Sequence, residues 1–168
     1  MEIRRNNNLT ELTGNDIRYL KFKNFDGHPD QFHPKGGMGN FTVVLTEEKA
    51  REIEEKFNGR EEYALKVRWK PNRDDDLEPT LKVNINWDAT DDKKPQIGQK
   101  TEYSNKITWL SPETIGCLNN AELINVSLLL NPSKGCGCYL RQGLFVIDEH
   151  DLFRAYRETV EDDVDEVY

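Results

Sequence analysis

The chain has 168 residues, of which 36% are hydrophobic and 32% charged, and its formal net charge is −8. That length suits one compact domain with or without a tail, and it is enough to bury a core without disulfides or metals. The longest apolar runs (Val43–Leu45, Leu128–Leu130, Leu144–Ile147) fall far short of the roughly 20 residues a membrane-spanning helix needs. Residues Met1 to Asn8 lack the apolar stretch of a secretory signal, and three cysteines without framework spacing read as a reducing cytoplasm.

The charge is unevenly placed. Residues 158–168 carry six acids (Glu158, Glu161, Asp162, Asp163, Asp165, Glu166) and no base, so setting those six aside leaves a formal −2 on residues 1–157. The body is near neutral and the acidity belongs to the tail, so a nucleic-acid partner for the body is not excluded.

In chain order, residues 1–15 are polar, contain an Asn run and read as a flexible arm. Ile17 to Phe25 alternates polar with apolar residues and predicts a half-exposed strand. Asp26 to Gly39 holds four glycines, two prolines and two histidines and reads as a loop. Asn40 to Leu45 predicts a strand. Thr46 caps a helix through Phe57, with Ala50, Ile53 and Phe57 on one face and Asn58-Gly59 as its stop. Ala64 to Lys70 alternates Leu65, Val67 and Trp69 against Lys66, Arg68 and Lys70. Thr80 to Trp87 alternates again, and an acidic connection from Asn72 to Pro79 makes the two a β-hairpin. Asp88 to Lys100 reads as loop and Tyr103 to Leu110 as strand. Ser111-Pro112-Glu113 starts a short helix. Ala121 to Leu130 and Gly137 to Ile147 predict strands around the turn Asn131 to Gly135, and Asp148 caps a final helix through Tyr156. The fold class is therefore mainly β with minor α: an OB-like antiparallel β-barrel over residues 16–157, with two or three short helices, then a disordered acidic tail over 158–168.

Enzyme chemistry finds little support. There is no nucleophile elbow or Walker loop. Lys35 to Gly39 is glycine-rich, yet a strand follows where a phosphate loop needs a helix N-terminus. Asp148-Glu149-His150-Asp151 is what a helix's first turn prefers electrostatically, and Asp74 to Asp76 suits a solvated turn. His28, His33, Cys136 and Cys138 have the donor types for tetrahedral zinc, but Cys-x-Cys is tight and the two pairs lie about a hundred residues apart. Loop histidines and small thiols in a turn and strand are the favoured account of them. No cofactor is called for.

A binding surface is better supported. Lys21, Lys23, Lys66, Arg68, Lys70, Lys82 and Arg141 sit on strands that also carry Tyr19, Phe22, Phe25, Trp69, Trp87, Tyr139 and Phe145. Cations neutralise phosphates and any base stacks on an aromatic face, which is what sequence-tolerant single-strand binding requires. The seven cations are candidate phosphate contacts, and Phe25, Trp69 and Tyr139 are candidate stacking rings. The competing account is an ordinary sheet with a charged outside and an aromatic core, because Trp69 alternates away from its basic neighbours. In the tail, Asp162, Asp163, Asp165, Glu166 and the terminal Tyr168 are candidate contacts to partner proteins; a plain solubilising tail is the competing account.

The order of these blocks resembles phage- and prophage-encoded single-stranded-DNA-binding proteins of the OB-fold type. The resemblance rests on Phe22-Lys23-Asn24-Phe25-Asp26-Gly27, the loop Lys35 to Gly39, the strand Asn40 to Leu45 leading into a helix, and Val67-Arg68-Trp69-Lys70-Pro71 followed by Leu81 to Asn86. The acidic C-terminus ending in an aromatic adds to it. It implies a cytoplasmic, non-enzymatic protein that binds single-stranded DNA and recruits replication or recombination proteins through its tail, with a homo-oligomer left open. The alternative is a protein-interaction module, such as a phage-encoded inhibitor or adaptor that mimics nucleic acid.

Overall fold

The computed structural model describes residues 1–6, 9–31, 33–56, 65–71, 77–132 and 137–148. In chain order the strands are β1 (Glu2–Asn6), β2 (Leu9–Gly14), β3 (Leu20–Asn24), β4 (Gly39–Val44), β5 (Arg68–Pro71), β6 (Leu77–Ile85), β7 (Gln96–Thr101), β8 (Thr108–Trp109), β9 (Leu123–Pro132) and β10 (Cys138–Ile147). One α-helix, α1 (Glu47–Lys56), and two 3-10 turns (Asn15–Arg18 and Ile115–Asn119) complete the described elements. The class is mainly β with minor α, as the alternating patterns imply. No helix among the described residues is long and apolar enough to cross a membrane.

All ten strands join one sheet whose main path runs β1-β2-β9-β10-β6-β4-β3, with β5 on β6, β7 on β10 and β8 on β7. The long hairpin β9–β10 is its spine, and a bulge between Leu140 and Gln142 bends β10. Before the bulge β10 runs parallel to β6 through Cys138 and Tyr139. Beyond it, the same edge runs parallel to β7 from Gln142 to Ile147. The sheet thus departs from an OB-like antiparallel barrel in two ways. It contains parallel pairs, and its path ends at β1 and β3 without closing. β3 cannot extend the ladder far: its pairing to β4 is broken between Lys21 and Asn24.

The sheet curls around a single core. Inward residues of every quarter meet there: Leu12 from β2, Phe41 from β4, Leu81 and Val83 from β6, Val126 from β9 and Phe145 from β10. Phe25 stacks on Phe41 with centroids 4.8 Å apart, and Phe145 meets both edge-on at 5.4 and 6.0 Å. Such offset and T-shaped pairs are the favoured aromatic geometries. Helix α1 lays Ala50 and Ile53 on this core, and Thr46 caps it, its Oγ1 accepting from the Lys49 amide at 3.2 Å. Phe57 and Asn58-Gly59 lie outside the described residues.

Three expectations need correction. Residues 2–6 and 9–14 are not an arm: β1 and β2 pair antiparallel, and β2 pairs with β9 from Thr10 to Gly14 with Leu12 fully buried. Among the described side chains this edge hairpin buries Ile3, Thr10 and Leu12, too few apolar positions for composition to reveal it. Residues 96–100, read as loop, belong to β7 (Gln96–Thr101); only Ile97 and Gly98 are buried along it, too few to set up a visible alternation. Between Tyr103 and Leu110 only Thr108 and Trp109 are strand. The turns at 72–76 and 133–136, the final helix beyond Asp148 and the acidic tail, with Asp162, Asp163, Asp165, Glu166 and Tyr168, lie outside the described residues.

Candidate nucleic-acid interface

Strand register decides which candidate residues share a face. Across one row, Lys21 of β3 pairs with Thr42 of β4, and Thr42 with Lys82 of β6. Across the next, Asn24 pairs with Asn40, Asn40 with Asn84, and Asn84 with Tyr139 of β10. On the other edge of β6, β5 sets Arg68 beside Thr80 and Lys70 beside Glu78. Just before β5, Lys66 bridges to Gly137. Side chains directly paired in a ladder point to the same side. Lys21, Lys66, Arg68, Lys70, Lys82 and Tyr139 therefore occupy one outer face, opposite the core.

Above this face the loop from Asp26 to Met38 forms one wall of a cavity of about 230 Å³, lined by Asn40, Asn84, Lys82, Tyr139, Met38 and His33. The loop is pinned at its start. Asn24 accepts the His28 amide at 2.9 Å and donates to the His28 carbonyl at 3.0 Å. Asp26 takes the His28 ring at 2.7 Å and the Asn119 amide at 3.0 Å, and the His28 hydrogen bond in particular holds its carboxyl below the usual range. Gly27 (φ +67°) closes the turn; a Cβ there would lie 1.9 Å from the Gly37 carbonyl oxygen, so only glycine fits.

Among the described residues, Lys82 has no carboxylate within ion-pairing distance, whereas Lys21 pairs with Glu78 at 2.7 Å. An exposed pair of that kind is worth about 0–1 kcal/mol and gives way readily to a phosphate. Lys23 lies half-buried inside the β3 irregularity.

Three candidates belong elsewhere. Phe25 is fully buried in the aromatic core and offers no face to a base. Trp69 pairs with Pro79 on the inner side of β5, where its Nε1 donates to Glu54 at 2.9 Å and the Arg51 guanidinium lies 5.3 Å from its ring; helix α1 covers it. Arg141 sits in the β10 bulge and donates to the Asp92 carbonyl at 2.6 Å, so it braces the β6–β7 connection. Of the metal-type residues, His28 and His33 are exposed on the loop, each beside an aspartate, while Cys138 is buried with its thiol pushed up by burial. Among the described residues no three His, Cys, Asp or Glu side chains converge, and Cys136 lies outside them.

The ring that alternation passed over is Phe22. It is 79% exposed and its φ is +50°. A bulky side chain in the left-handed region is a genuine outlier, costing about 1–2 kcal/mol. Folding gains nothing evident from this strain or from the exposed ring, which is the combination found at functional sites. The signal in the sequence is weak: Phe22 is one more aromatic between two lysines.

A model of the family described as "Putative phage ssDNA-binding domain" matches residues 1–167. No curated relative and no solved structure matches the chain.

Proposed function

Because the chain belongs to this family of phage single-stranded-DNA-binding domains, we propose that it binds single-stranded DNA on the outer face of β3, β4, β6 and the start of β10. One observation carries the proposal: Lys82, Tyr139, Asn40 and Asn84 converge on one cavity, on the face that also bears Lys21, Lys66, Arg68 and Lys70. Lys82 and its neighbours neutralise phosphates, Tyr139 and Phe22 stack bases, and the asparagine amides hydrogen-bond whichever base edge is presented. A binding mode of this kind is salt-sensitive and tolerant of sequence. The chemistry is binding and calls for no reaction step.

The acidic segment 158–168 is proposed to recruit replication or recombination proteins in the host cytoplasm and to compete with DNA for the basic face. The test is the anisotropy of labelled oligo(dT), titrated with the full chain and with a chain lacking residues 158–168 at two salt concentrations. Affinity is expected to fall with salt and to rise several-fold on deletion. Unchanged DNA affinity on deletion removes the competitive role. Absence of DNA binding by both chains, with loss of a protein partner on deletion, favours the interaction-module reading.

A further inference from the structure

A second outer-face groove lies around the curl of the sheet, where register places Ser127 of β9, Leu144 of β10, Gly98 of β7 and Trp109 of β8 in one row. Gly98 brings no side chain to that row, and Trp109 and Ile107 lie across it. A Cβ at Gly98 would sit 2.5 Å from Ile107 Cγ2 and 3.4 Å from the indole. Trp109 is nonetheless 65% exposed. Beside it is a cavity of about 440 Å³, floored by Leu129 and Leu144 and edged by Gln96 and Gln142, whose amides approach to 3.5 Å, with Glu11 at the far rim. One row further, Lys100 pairs with Val146 on the same side. Lys100 also borders a separate cavity, which Lys106 lines with Gln99, Thr108 and Ile147. Among the described residues neither lysine has a carboxylate within ion-pairing distance.

We propose that this groove is a second nucleobase subsite. The bound strand would run along β10 from Tyr139 and set a further base against Trp109, with the Gln96 and Gln142 amides facing the base edge and Lys100 facing the backbone. This rests on the single-strand reading above. The occupant is argued from the juxtaposition: an exposed indole over apolar floor residues takes a base, neutral amides tolerate any base edge, and Lys100 one row away complements phosphate. From Tyr139 to Leu144 along β10 is roughly 16 Å at about 3.3 Å per residue, which a stacked strand covers in about five nucleotides at a rise of about 3.4 Å. A short oligonucleotide therefore fills the first face alone, and a longer one reaches both.

The experiment uses the full chain and labelled oligo(dT) of about 4 and about 25 nucleotides, within and beyond the range one such domain covers. Trp109→Ala is expected to leave affinity for the short oligonucleotide within about twofold and to lower that for the long one roughly tenfold, the size of one stacking interaction. Trp109→Phe keeps a ring and most of the long-oligonucleotide affinity, and it abolishes the tryptophan quenching that the long oligonucleotide causes, since Trp69 lies under α1 and Trp87 is half-buried against the core. Lys100→Gln lowers the salt slope for the long oligonucleotide alone by about 0.7, the equivalent of one phosphate. Equal affinities of wild type and Trp109→Ala at both lengths overturn the subsite, as does an equal loss at both lengths. Failure of the wild type to bind either oligonucleotide overturns the underlying reading as well.

Discussion

Replacing Lys82 by Glu and Tyr139 by Ala together is expected to lower affinity for oligo(dT) about a hundredfold at low salt. In the proposed mode Tyr139 supplies a stacking surface, worth about 1–3 kcal/mol per base, or roughly tenfold or more. In that mode Lys82 neutralises a phosphate, and the glutamate adds repulsion in the cavity that both residues line. The salt slope is expected to become shallower by about 0.7 for each phosphate that is no longer neutralised. Stability is expected to change little, because both side chains are half-buried on the outer face and neither belongs to the core cluster. Anisotropy at two salt concentrations, with a thermal melt of the same preparation, checks this. An affinity loss below threefold in a folded variant would remove the cavity from the binding path.

Phe25→Ala is expected to act in the opposite way. Its ring is fully buried between Phe41 and Phe145, so truncation costs about 3–5 kcal/mol. That is a large share of the roughly 5–15 kcal/mol that holds a domain folded. For a chain of this size the melting midpoint is expected to drop by roughly 10–15 °C. The neighbouring Phe22→Gly is the contrast. It removes an exposed ring and relieves the left-handed strain at φ +50°, so the midpoint is expected to stay within a few degrees while DNA affinity falls about tenfold. A stable Phe25→Ala protein that has lost DNA binding alone would reverse the assignment of the two rings.

That contrast shows what period-two reasoning reads well and where it stops. Lys66, Arg68 and Lys70 alternate cleanly against Leu65, Val67 and Trp69, and the structure sends the two sets to opposite sides of β5. The β9–β10 hairpin and the Thr46-capped helix are legible for the same reason: one face is core and the other is solvent, so the pattern repeats. In β3 the repeat fails. Strict alternation puts Phe25 on the side of Lys21 and Lys23, but the irregularity between Lys21 and Asn24 adds unpaired residues and resets which ring turns inward. A bulge leaves no mark in composition, so Phe25 and Phe22 exchange roles unseen.

Partnering across the sheet is the other thing the chain order conceals. Tyr139 and Lys82 are far apart in the chain and meet only because β10 runs parallel to β6 for two residues before bending away. Trp69 looks like a stacking ring until α1 is packed over it, and Arg141 looks like a phosphate ligand until Asp92 is brought to it. Trp109 carries no alternating neighbours to single it out, and only strand pairing sets it over Gly98.

The most direct test of the outer face as the DNA site is photocrosslinking of the full chain to an oligo(dT) carrying 5-iodouracil, followed by mapping of the modified residues. Stacked aromatics react preferentially, so the account predicts crosslinks at Tyr139 and Phe22 that disappear at high salt. Crosslinks confined to the β1–β2 hairpin or to α1, with none on Tyr139 or Phe22, would contradict it.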